Sequence, residues 1–267
     1  MNKSILFVAT LTLLFASSAF SCELKMGFRT TERLPLIAKA PLNDGLYYDL
    51  YSQAAQQIGC QLTVVRSPKK RLLKMLQDGE IDIYPGFIFN MERADYVLFL
   101  ESGLPGGEIG ISRNDLKEIT NKHQLSGLTL VQSLGAPDFA SGVENISYYT
   151  KAELSIPEAI ELIRKKRGDF YIYPRGTLLY YLKLHNAKDI KVHLNCCGGA
   201  TPLYLAFSKK SKHLNEGINP RFVPDEPLSA SNWPTQPLKG TVAYQFQQQL
   251  LLMKESGETI ELYNQYY

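Results

Sequence analysis

Long apolar runs and an excess of one charge are both missing from most of this 267-residue chain. After the first 21 residues, no apolar run approaches the ~18 residues that a membrane-spanning helix needs. The formal net charge is +3, from 29 Lys and Arg against 26 Asp and Glu. Such a small and dispersed charge does not indicate a nucleic-acid or membrane-surface partner. We therefore expect a water-soluble mature chain that binds no nucleic acid.

Sequence signatures of catalysis and of metal binding are also lacking. The four histidines do not have the spacing of metal ligands: His123, His185, His193 and His213. There is no G-x-S-x-G nucleophile motif, and the glycines from 103 to 110 do not form a phosphate-binding loop. These absences favour binding over turnover, so we expect no enzyme activity, no cofactor and no metal.

The amino terminus has the pattern of an export signal. Lys3 precedes an apolar run from Ile5 to Ala16, and Ala19-Phe20-Ser21 fits a cleavage site. We predict a signal peptide over residues 1–21, a mature chain that starts at Cys22, and a periplasmic location. A lipoprotein is the less favoured alternative, because no Leu-small-small lipobox precedes Cys22. The remaining chain is long enough for two lobes with a core each.

The segment that begins at Leu62 predicts a strand followed by a helix. Leu62–Val65 is a β-rich run. Ser67 is expected to cap a helix whose first residue is Pro68, since proline has no N–H to leave unsatisfied there. Gly79 is expected to end this helix.

A second short strand is expected around Asp82, and it should stop at Pro85 and Gly86. Two strands joined through a helix are parallel, with a right-handed crossover. Sheets of this kind bind ligands just beyond the carboxyl ends of their strands. Residues after Tyr84 are therefore expected at a ligand-binding edge.

The same segment resembles a family signature. Gly79-Glu80-Ile81-Asp82-Ile83, then Gly86, then Glu92-Arg93, is similar to the "G-x-x-D … G-x-x-x-x-x-E-R" pattern of bacterial extracellular solute-binding proteins of the polar amino acid type. Four weaker matches occur in the family order: Gly45–Leu50, Leu125–Val131, Phe207–Ser211 and Gly257–Tyr263. The resemblance implies an α/β, two-lobed periplasmic-binding-protein-like (type II) fold. Each lobe would be a mainly parallel sheet flanked by helices, with two hinge crossings between the lobes.

The resemblance also divides the chain. We expect lobe one over residues 22–105, lobe two over 106–197 and the return to lobe one over 198–267. Gly103–Gly107 is the expected first crossing, because such glycines permit hinge conformations, and Cys196–Gly199 is the expected return crossing. The proline-rich piece from 217 to 240 is expected to be a non-helical surface excursion. We favour a decorative loop over a docking surface for a partner.

Four cysteines in an exported protein suggest disulfides. If the strands after Cys22 and Cys60 are parallel neighbours, as the resemblance implies, both cysteines lie at one edge and can pair. Cys196 and Cys197 are adjacent in sequence. They either form an eight-membered disulfide ring or remain two buried thiols, and we favour the thiols.

Arg93 is the leading candidate for ligand binding. It matches the arginine with which the family holds its ligand, and a guanidinium can hold a carboxylate through two charge-assisted hydrogen bonds. The alternative is a surface arginine paired with Glu92 or Asp95. The predicted ligand-binding set also includes Gly86 and Asn90 from the same segment.

Other positions depart from the family pattern. Pro174 stands where the family has the aspartate that holds the ligand's ammonium group, and a proline cannot do so. Arg175 follows it, while Arg33 and Lys69 align near positions where aromatic side chains usually cover the ligand. With Arg93, these residues suggest a cleft that prefers an anion. The alternative is that several of them are ordinary solvated charges.

Two further residues complete the predicted site. Tyr173 offers a face on which a ring can stack, although tyrosines in strands are more often part of the core. Gly135 follows the strand that ends at Val131, and the amides around it can receive an anionic group.

The resemblance implies a monomeric binding protein that takes a small polar or acidic ligand, amino-acid-like or carboxylate. It would deliver this ligand to an ABC transporter permease in the inner membrane. Two alternatives stay open. One is a ligand sensor that contacts a membrane receptor. The other is an enzyme that resembles cyclohexadienyl dehydratases, in which Glu32 or Glu101 would act as acid or base.

Overall fold

A computed structural model describes residues 22–134, 136–152 and 154–267, so the predicted signal peptide lies outside the described residues. The described part contains these strands: β1 (Cys22–Arg29), β2 (Cys60–Ser67), β3 (Ile83–Phe87), β4 (Val97–Gly106), β5 (Glu108–Arg113), β6 (Thr129–Ser133), β7 (Ser147–Lys151), β8 (Phe170–Pro174), β9 (Ile190–His193), β10 (Thr201–Ser208), β11 (Glu216–Ile218) and β12 (Thr235–Pro237). Its α-helices are α1 (Leu46–Gln57), α2 (Lys69–Asp78), α3 (Met91–Ala94), α4 (Ile156–Arg164), α5 (Arg175–Leu184), α6 (Val242–Ser256) and α7 (Glu258–Tyr266), and Lys122–Leu125 forms a 3-10 helix. None of these described helices has the length and apolar character that crossing a membrane requires.

Two five-stranded sheets define two lobes. The sheet of the first lobe has the order β2-β1-β3-β10-β4, in which β1, β2 and β3 are parallel and β10 is antiparallel to both of its neighbours. The sheet of the second lobe has the order β7-β6-β8-β5-β9, in which β6 is parallel to β7 and β8, and β5 is antiparallel to β8 and β9. The two-lobed α/β prediction is confirmed. Each sheet is mixed, but four of its five strands run in one direction, and the reversed strand is β10 in the first lobe and β5 in the second.

Apolar side chains cover both faces of each sheet. In β4, Leu98 and Leu100 belong to one core cluster, while Phe99 between them belongs to another on the opposite face. In β8 of the second lobe, Phe170 and Tyr171 likewise belong to two different core clusters on opposite faces of the sheet. Burial on both faces explains why Val97–Leu100 in β4 and Phe170–Tyr173 in β8 are continuous apolar runs without polar alternation.

The start of α2 differs from the prediction. The helix begins at Lys69, Pro68 occupies the N-cap position, and no side chain caps it by a hydrogen bond. Ser67 belongs to β2 and is buried there, so it is not the cap. Gly79 ends the helix in the left-handed conformation, with φ of 80°.

Strand β3 continues through Pro85 and Gly86 instead of stopping at them. Pro85 pairs with Leu205, next to a register shift in β10, so the ladder is already irregular where a proline N–H is missing. Gly86 has φ of 76°, and a Cβ at this position would collide with the hydroxyl of Tyr47. Proline and glycine usually interrupt a strand, but tertiary contacts keep Pro85 and Gly86 within a central strand.

The first crossing between the lobes is shorter than predicted. β4 runs through Gly106 and β5 begins at Glu108, so Gly107 is the single residue between them. Its φ is 90°, and a Cβ there would lie 2.8 Å from the main-chain oxygen of Gly199 in the return crossing. The two crossings therefore lie side by side, and only glycine fits at this contact.

All four cysteines of the chain form disulfides. Cys22 and Cys60 are register partners at the start of β1 and β2, and their disulfide joins Cα atoms that are 4.6 Å apart. Cys196 and Cys197 are also joined to each other, in the return crossing. The favoured prediction of two free thiols is therefore wrong.

The proline-rich excursion, residues 217–240, is held in place by its own contacts. β11 and β12 pair at its base. The buried Asn232 donates through Nδ2 to the carbonyl of Val223 at 3.0 Å, and its Oδ1 accepts from the Val223 N–H at 2.9 Å. Trp233 packs edge-on against Phe89, with ring centroids 6.2 Å apart. The non-helical surface excursion is thus an ordered layer on the first lobe.

His193 lies fully buried in the second lobe. Its Nδ1 accepts a hydrogen bond from the N–H of Ile119 at 2.9 Å, and its Nε2 lies 2.8 Å from Oγ of Ser112. Because Nδ1 is an acceptor, the neutral ring that carries its proton on Nε2 fits this site. Burial lowers the pKa of His193 to about 4, with a further contribution from Lys191.

We expect the second lobe to lose stability as the pH falls from about 6.5, the pKa of an unfolded histidine, towards 4. In this window the unfolded state binds more protons, so the free energy of unfolding rises with pH and is lost on acidification. The expected loss at pH 5 relative to pH 7 is about 2 kcal/mol. Urea denaturation of the wild type and of His193→Gln at both pH values isolates this contribution. An identical pH dependence in the two proteins would contradict it.

Candidate ligand-binding site

A group of cations follows the carboxyl ends of the parallel strands in the first lobe. β2, β1 and β3 are neighbours that run in the same direction, so their carboxyl ends share one edge. Arg29 is the last residue of β1, Lys69 begins the helix after β2, and Arg93 lies in the helix after β3. Arg33 comes from the loop after β1. The topology therefore brings four cations to the edge where such sheets bind ligands.

These four residues, Arg29, Arg33, Lys69 and Arg93, which we call the cationic group, are close enough to influence one another. Partial removal from water lowers the pKa of Lys69, and the charges of the three arginines lower it further. Burial raises the pKa of Tyr84, and the same three arginines oppose that rise. A lysine with a pKa lowered by neighbouring cations lies in a positive field, which an anion would relieve.

No carboxylate of the described chain forms an ion pair with the cationic group. Every ion pair among the described residues involves other side chains. The guanidinium of Arg93 lies over the ring of Phe87, with Cζ 4.6 Å from the ring centroid, and does not pair with Glu92 or Asp95. Nε of Arg29 is buried and finds no hydrogen-bond partner in the described residues. Cations held together without ion-pair partners favour an anionic ligand.

A cavity of about 830 Å³ lies between the two lobes. Arg29, Arg33 and Lys69 line it from the first lobe. Residues at the carboxyl ends of β6 and β8, Ser133 and Tyr173 among them, line it from the second lobe. The binding edges of both sheets therefore face one cavity, whose volume falls within the usual range for small-molecule sites.

Two acidic residues also line the cavity, Glu32 and Glu108. Glu108 begins β5 and pairs with Pro174 in the antiparallel ladder between β5 and β8. A carboxylate therefore lies beside Pro174, although the sequence alone gives no sign of an acidic residue at this edge of the sheet. Arg29 and Glu108 were both missed by sequence reasoning. Each of them lies at the end of a strand, which is where ligand-binding residues are expected. This position can be recognised only once the pairing of the strands is known.

The predicted site residues take different places. Arg33, Lys69 and Tyr173 line the cavity, while Arg93 lies outside its lining and acts on Lys69 through its charge. Asn90 caps the helix that carries Arg93, because its Oδ1 accepts a hydrogen bond from the Arg93 N–H at 3.2 Å. Asn90 and Gly86 therefore shape the Arg93 segment without lining the cavity.

Arg175 and Gly135 complete the predicted set. Arg175 is engaged at the crossings, where its guanidinium donates to the carbonyl of Leu194 at 3.1 Å and its N–H donates to the carbonyl of Gly107 at 2.9 Å. It is not among the residues that line the cavity. Gly135 lies outside the described residues.

Two sheets, two adjacent crossings and a cavity between facing strand ends define the class of two-lobed periplasmic-binding-protein folds. The family model of the bacterial extracellular solute-binding proteins, family 3, matches residues 35–267, and the chain belongs to this family. No curated protein matches the chain in sequence.

Solved structures agree with this fold. The GluR0 ligand-binding core in complex with L-glutamate has a TM-score of 0.63 and 15% identity, covering 91% of this chain and 97% of that chain. The ancestral amino acid-binding protein AncCDT-1, a precursor of cyclohexadienyl dehydratase, has a TM-score of 0.59 and 18% identity, covering 92% and 95%. The substrate-binding protein of an amino acid ABC transporter has a TM-score of 0.56 and 17% identity, covering 92% and 99%. At these identities the likeness concerns the fold.

Proposed function

We propose that this protein is a monomeric periplasmic solute-binding protein that captures a small ligand with an acidic group and delivers it to an inner-membrane ABC transporter. The single observation that supports an acidic ligand is the cationic group, which forms no ion pair within the described chain and lies at the cleft edge of the first lobe. The family membership supports a role in solute binding.

Binding would begin on the first lobe and finish by closure of the second. An acidic group accepts hydrogen bonds from the guanidinium and ammonium donors of Arg29, Arg33 and Lys69. Rotation at the crossings beside Gly107 and Gly199 then brings the second lobe over the ligand. Exclusion of water strengthens each charge interaction inside the cleft. We propose that the first lobe comprises residues 22–105 and 198–267, and that the second lobe comprises residues 106–197.

The presence of an amine on the ligand is a separate question. Amino acids are named for all three similar structures described above, the GluR0 core with L-glutamate, AncCDT-1 and the ABC-transporter protein. In this chain Pro174 cannot hold an ammonium group, whereas Glu108 beside it can. The proposed ligand is therefore a carboxylate, and Glu108 decides whether an amine is also accepted.

We propose binding without turnover. The alternative is an enzyme that uses Glu32 or Glu101 as acid or base, and these two carboxylates differ in position. Glu101 forms an ion pair with Lys254 at 2.6 Å and does not line the cavity, so it is badly placed to serve as acid or base there. Glu32 does line the cavity. A membrane sensor remains the second candidate within solute binding, and a neighbouring permease gene would favour transport over sensing.

The disulfide of Cys22 agrees with a periplasmic protein that carries no lipid anchor on this residue. The Sγ atom of Cys22 is bonded to Cys60 in the disulfide. The same sulfur atom cannot also carry a thioether-linked lipid, so the disulfide disfavours a lipoprotein attached through this residue.

A thermal-shift screen of the mature protein tests the proposed function. The panel contains amino acids, dicarboxylates, aromatic acids and sugars, each with wild type and Glu108→Gln. We expect carboxylates without an amine to stabilise both proteins, by about 2.7 kcal/mol at 100 times the dissociation constant, which is a shift of several degrees. Stabilisation by amino acids that is lost in Glu108→Gln would assign Glu108 to an ammonium group. Shifts with sugars alone, or with no compound, would contradict the proposal.

A further inference from the structure

The two walls of the cavity differ in chemistry. The first lobe contributes cations, as described above. The wall from the second lobe is largely aromatic and aliphatic, and includes Leu134, Phe139, Ile156, Tyr173, Tyr181 and Leu184. Besides tyrosines, its ionisable lining residues are Glu108 and His185. A ligand that carries an anionic group at both ends would place one of them against this largely apolar wall, at a desolvation cost.

Tyrosine rings give the second-lobe wall a rigid aromatic surface. Tyr171 and Tyr173 both line the cavity and stack on each other, with centroids 5.5 Å apart and ring planes 20° apart. Tyr171 is buried and packs into the core of the lobe, so it supports Tyr173 from within. An aromatic surface supported in this way can receive the face or the edge of another ring without losing much side-chain entropy.

Exposed leucines surround the same cavity from both lobes. Leu134 is 74% exposed, Leu184 is 63% exposed and Leu34 is 38% exposed, and all three line the cavity. Single exposed leucines are normal on protein surfaces, but three that share one cavity with a tyrosine wall form an apolar patch. Covering apolar area is worth about 25 cal/mol per Å², so an apolar ligand body would gain affinity here.

We propose that the ligand is an amphipathic organic anion. Its acidic group would lie against Arg29, Arg33 and Lys69, and a ring or branched apolar body would lie against Tyr173 and Leu184. This inference rests on the proposed function and narrows it, because a small dicarboxylate would satisfy the cationic group but not the apolar wall.

Titration calorimetry with matched probes tests the ligand class. The probes are 3-phenylpropanoate, 4-methylpentanoate, succinate and the neutral 3-phenylpropanamide. We expect 3-phenylpropanoate to bind about tenfold or more tighter than both succinate and the amide, with 4-methylpentanoate also tighter than succinate. Succinate binding as tightly as the apolar acids would overturn the amphipathic ligand and leave the proposed function intact. Equal binding of acid and amide would overturn the role of the cations. Failure of all three acids to bind would contradict the proposed function itself.

A pair of leucine variants tests the wall without touching the core. Leu184→Ser changes an exposed residue that lines the cavity, and Leu252→Ser changes a residue of α6 that is 58% exposed and does not line it. We expect Leu184→Ser to weaken 3-phenylpropanoate about fivefold and to leave succinate unchanged, because it removes apolar contact alone. Leu252→Ser should bind both probes as the wild type does. Unchanged binding of 3-phenylpropanoate to Leu184→Ser would contradict the proposed contact.

Discussion

Replacement of Arg93 by alanine is expected to weaken the binding of a carboxylate ligand by about tenfold or more, since a hydrogen bond to a charged group contributes ~1.5 to 3 kcal/mol. Arg93 belongs to the cationic group but lies outside the lining of the cavity, with its guanidinium over the ring of Phe87. Two routes can therefore produce the loss. Arg93 can contact the carboxylate after closure, or it can act at a distance through the positive field that reaches Lys69.

Titration calorimetry of Arg93→Ala and Arg93→Lys at low and high salt separates these routes. Direct contact predicts that Arg93→Lys also loses affinity, because an ammonium cannot form the two-pronged hydrogen bond of a guanidinium. A field effect predicts that Arg93→Lys binds normally and that the loss in Arg93→Ala shrinks at high salt. The control is Lys70→Ala, an exposed cation on α2 that does not line the cavity. A dissociation constant for Arg93→Ala equal to that of the wild type would refute both routes.

Removal of the disulfide between Cys22 and Cys60 is expected to lower the free energy of unfolding of the first lobe by about 3 to 4 kcal/mol in the chain-entropy model. The two cysteines are separated by 38 positions, so the bond closes a long loop that would otherwise be free in the unfolded chain. Urea denaturation of the Cys22→Ala, Cys60→Ala double variant without reductant measures the loss.

The second disulfide provides the matched control. Cys196 and Cys197 are separated by a single position, so their bond restricts almost no loop in the unfolded chain. The Cys196→Ala, Cys197→Ala variant should lose much less stability than the Cys22 and Cys60 variant. Equal losses in the two double variants would contradict the loop-entropy explanation.

The parts of the fold that follow from local pattern could be predicted from the sequence. The helix that ends at Gly79 and the strands before and after it are set by neighbouring residues, and the family resemblance supplied the pairing of β1 with β2. Parallel pairing of those strands then places Cys22 beside Cys60 and puts Lys69 at the ligand edge, to which the parallel β3 adds Arg93. These relations need only short-range signals and one rule about parallel sheets.

The rest depends on contacts between distant segments. Proline and glycine usually interrupt strands, as the sequence predicts at Pro85 and Gly103. Pairing with β10 nevertheless keeps β3 and β4, which contain these residues, continuous. Glu108 lies beside Pro174 because β5 runs antiparallel to β8, and no local motif encodes that pairing. Arg29 is an ordinary strand end until its neighbours in the sheet are known. The cationic group was therefore partly predictable, and its carboxylate counterpart was not.

The crossings restrict how the two lobes can move. β4 and β10 remain hydrogen-bonded up to the pair formed by Gly106 and Thr201, and Gly107 then touches Gly199. A two-stranded ribbon of this kind bends across its width more easily than it shears along its length. We therefore expect the relative motion of the lobes to be close to a single rotation about this ribbon. If the lobes close on a ligand in this way, closure would order few additional degrees of freedom, and a larger share of the contact free energy between ligand and cleft would be retained as affinity.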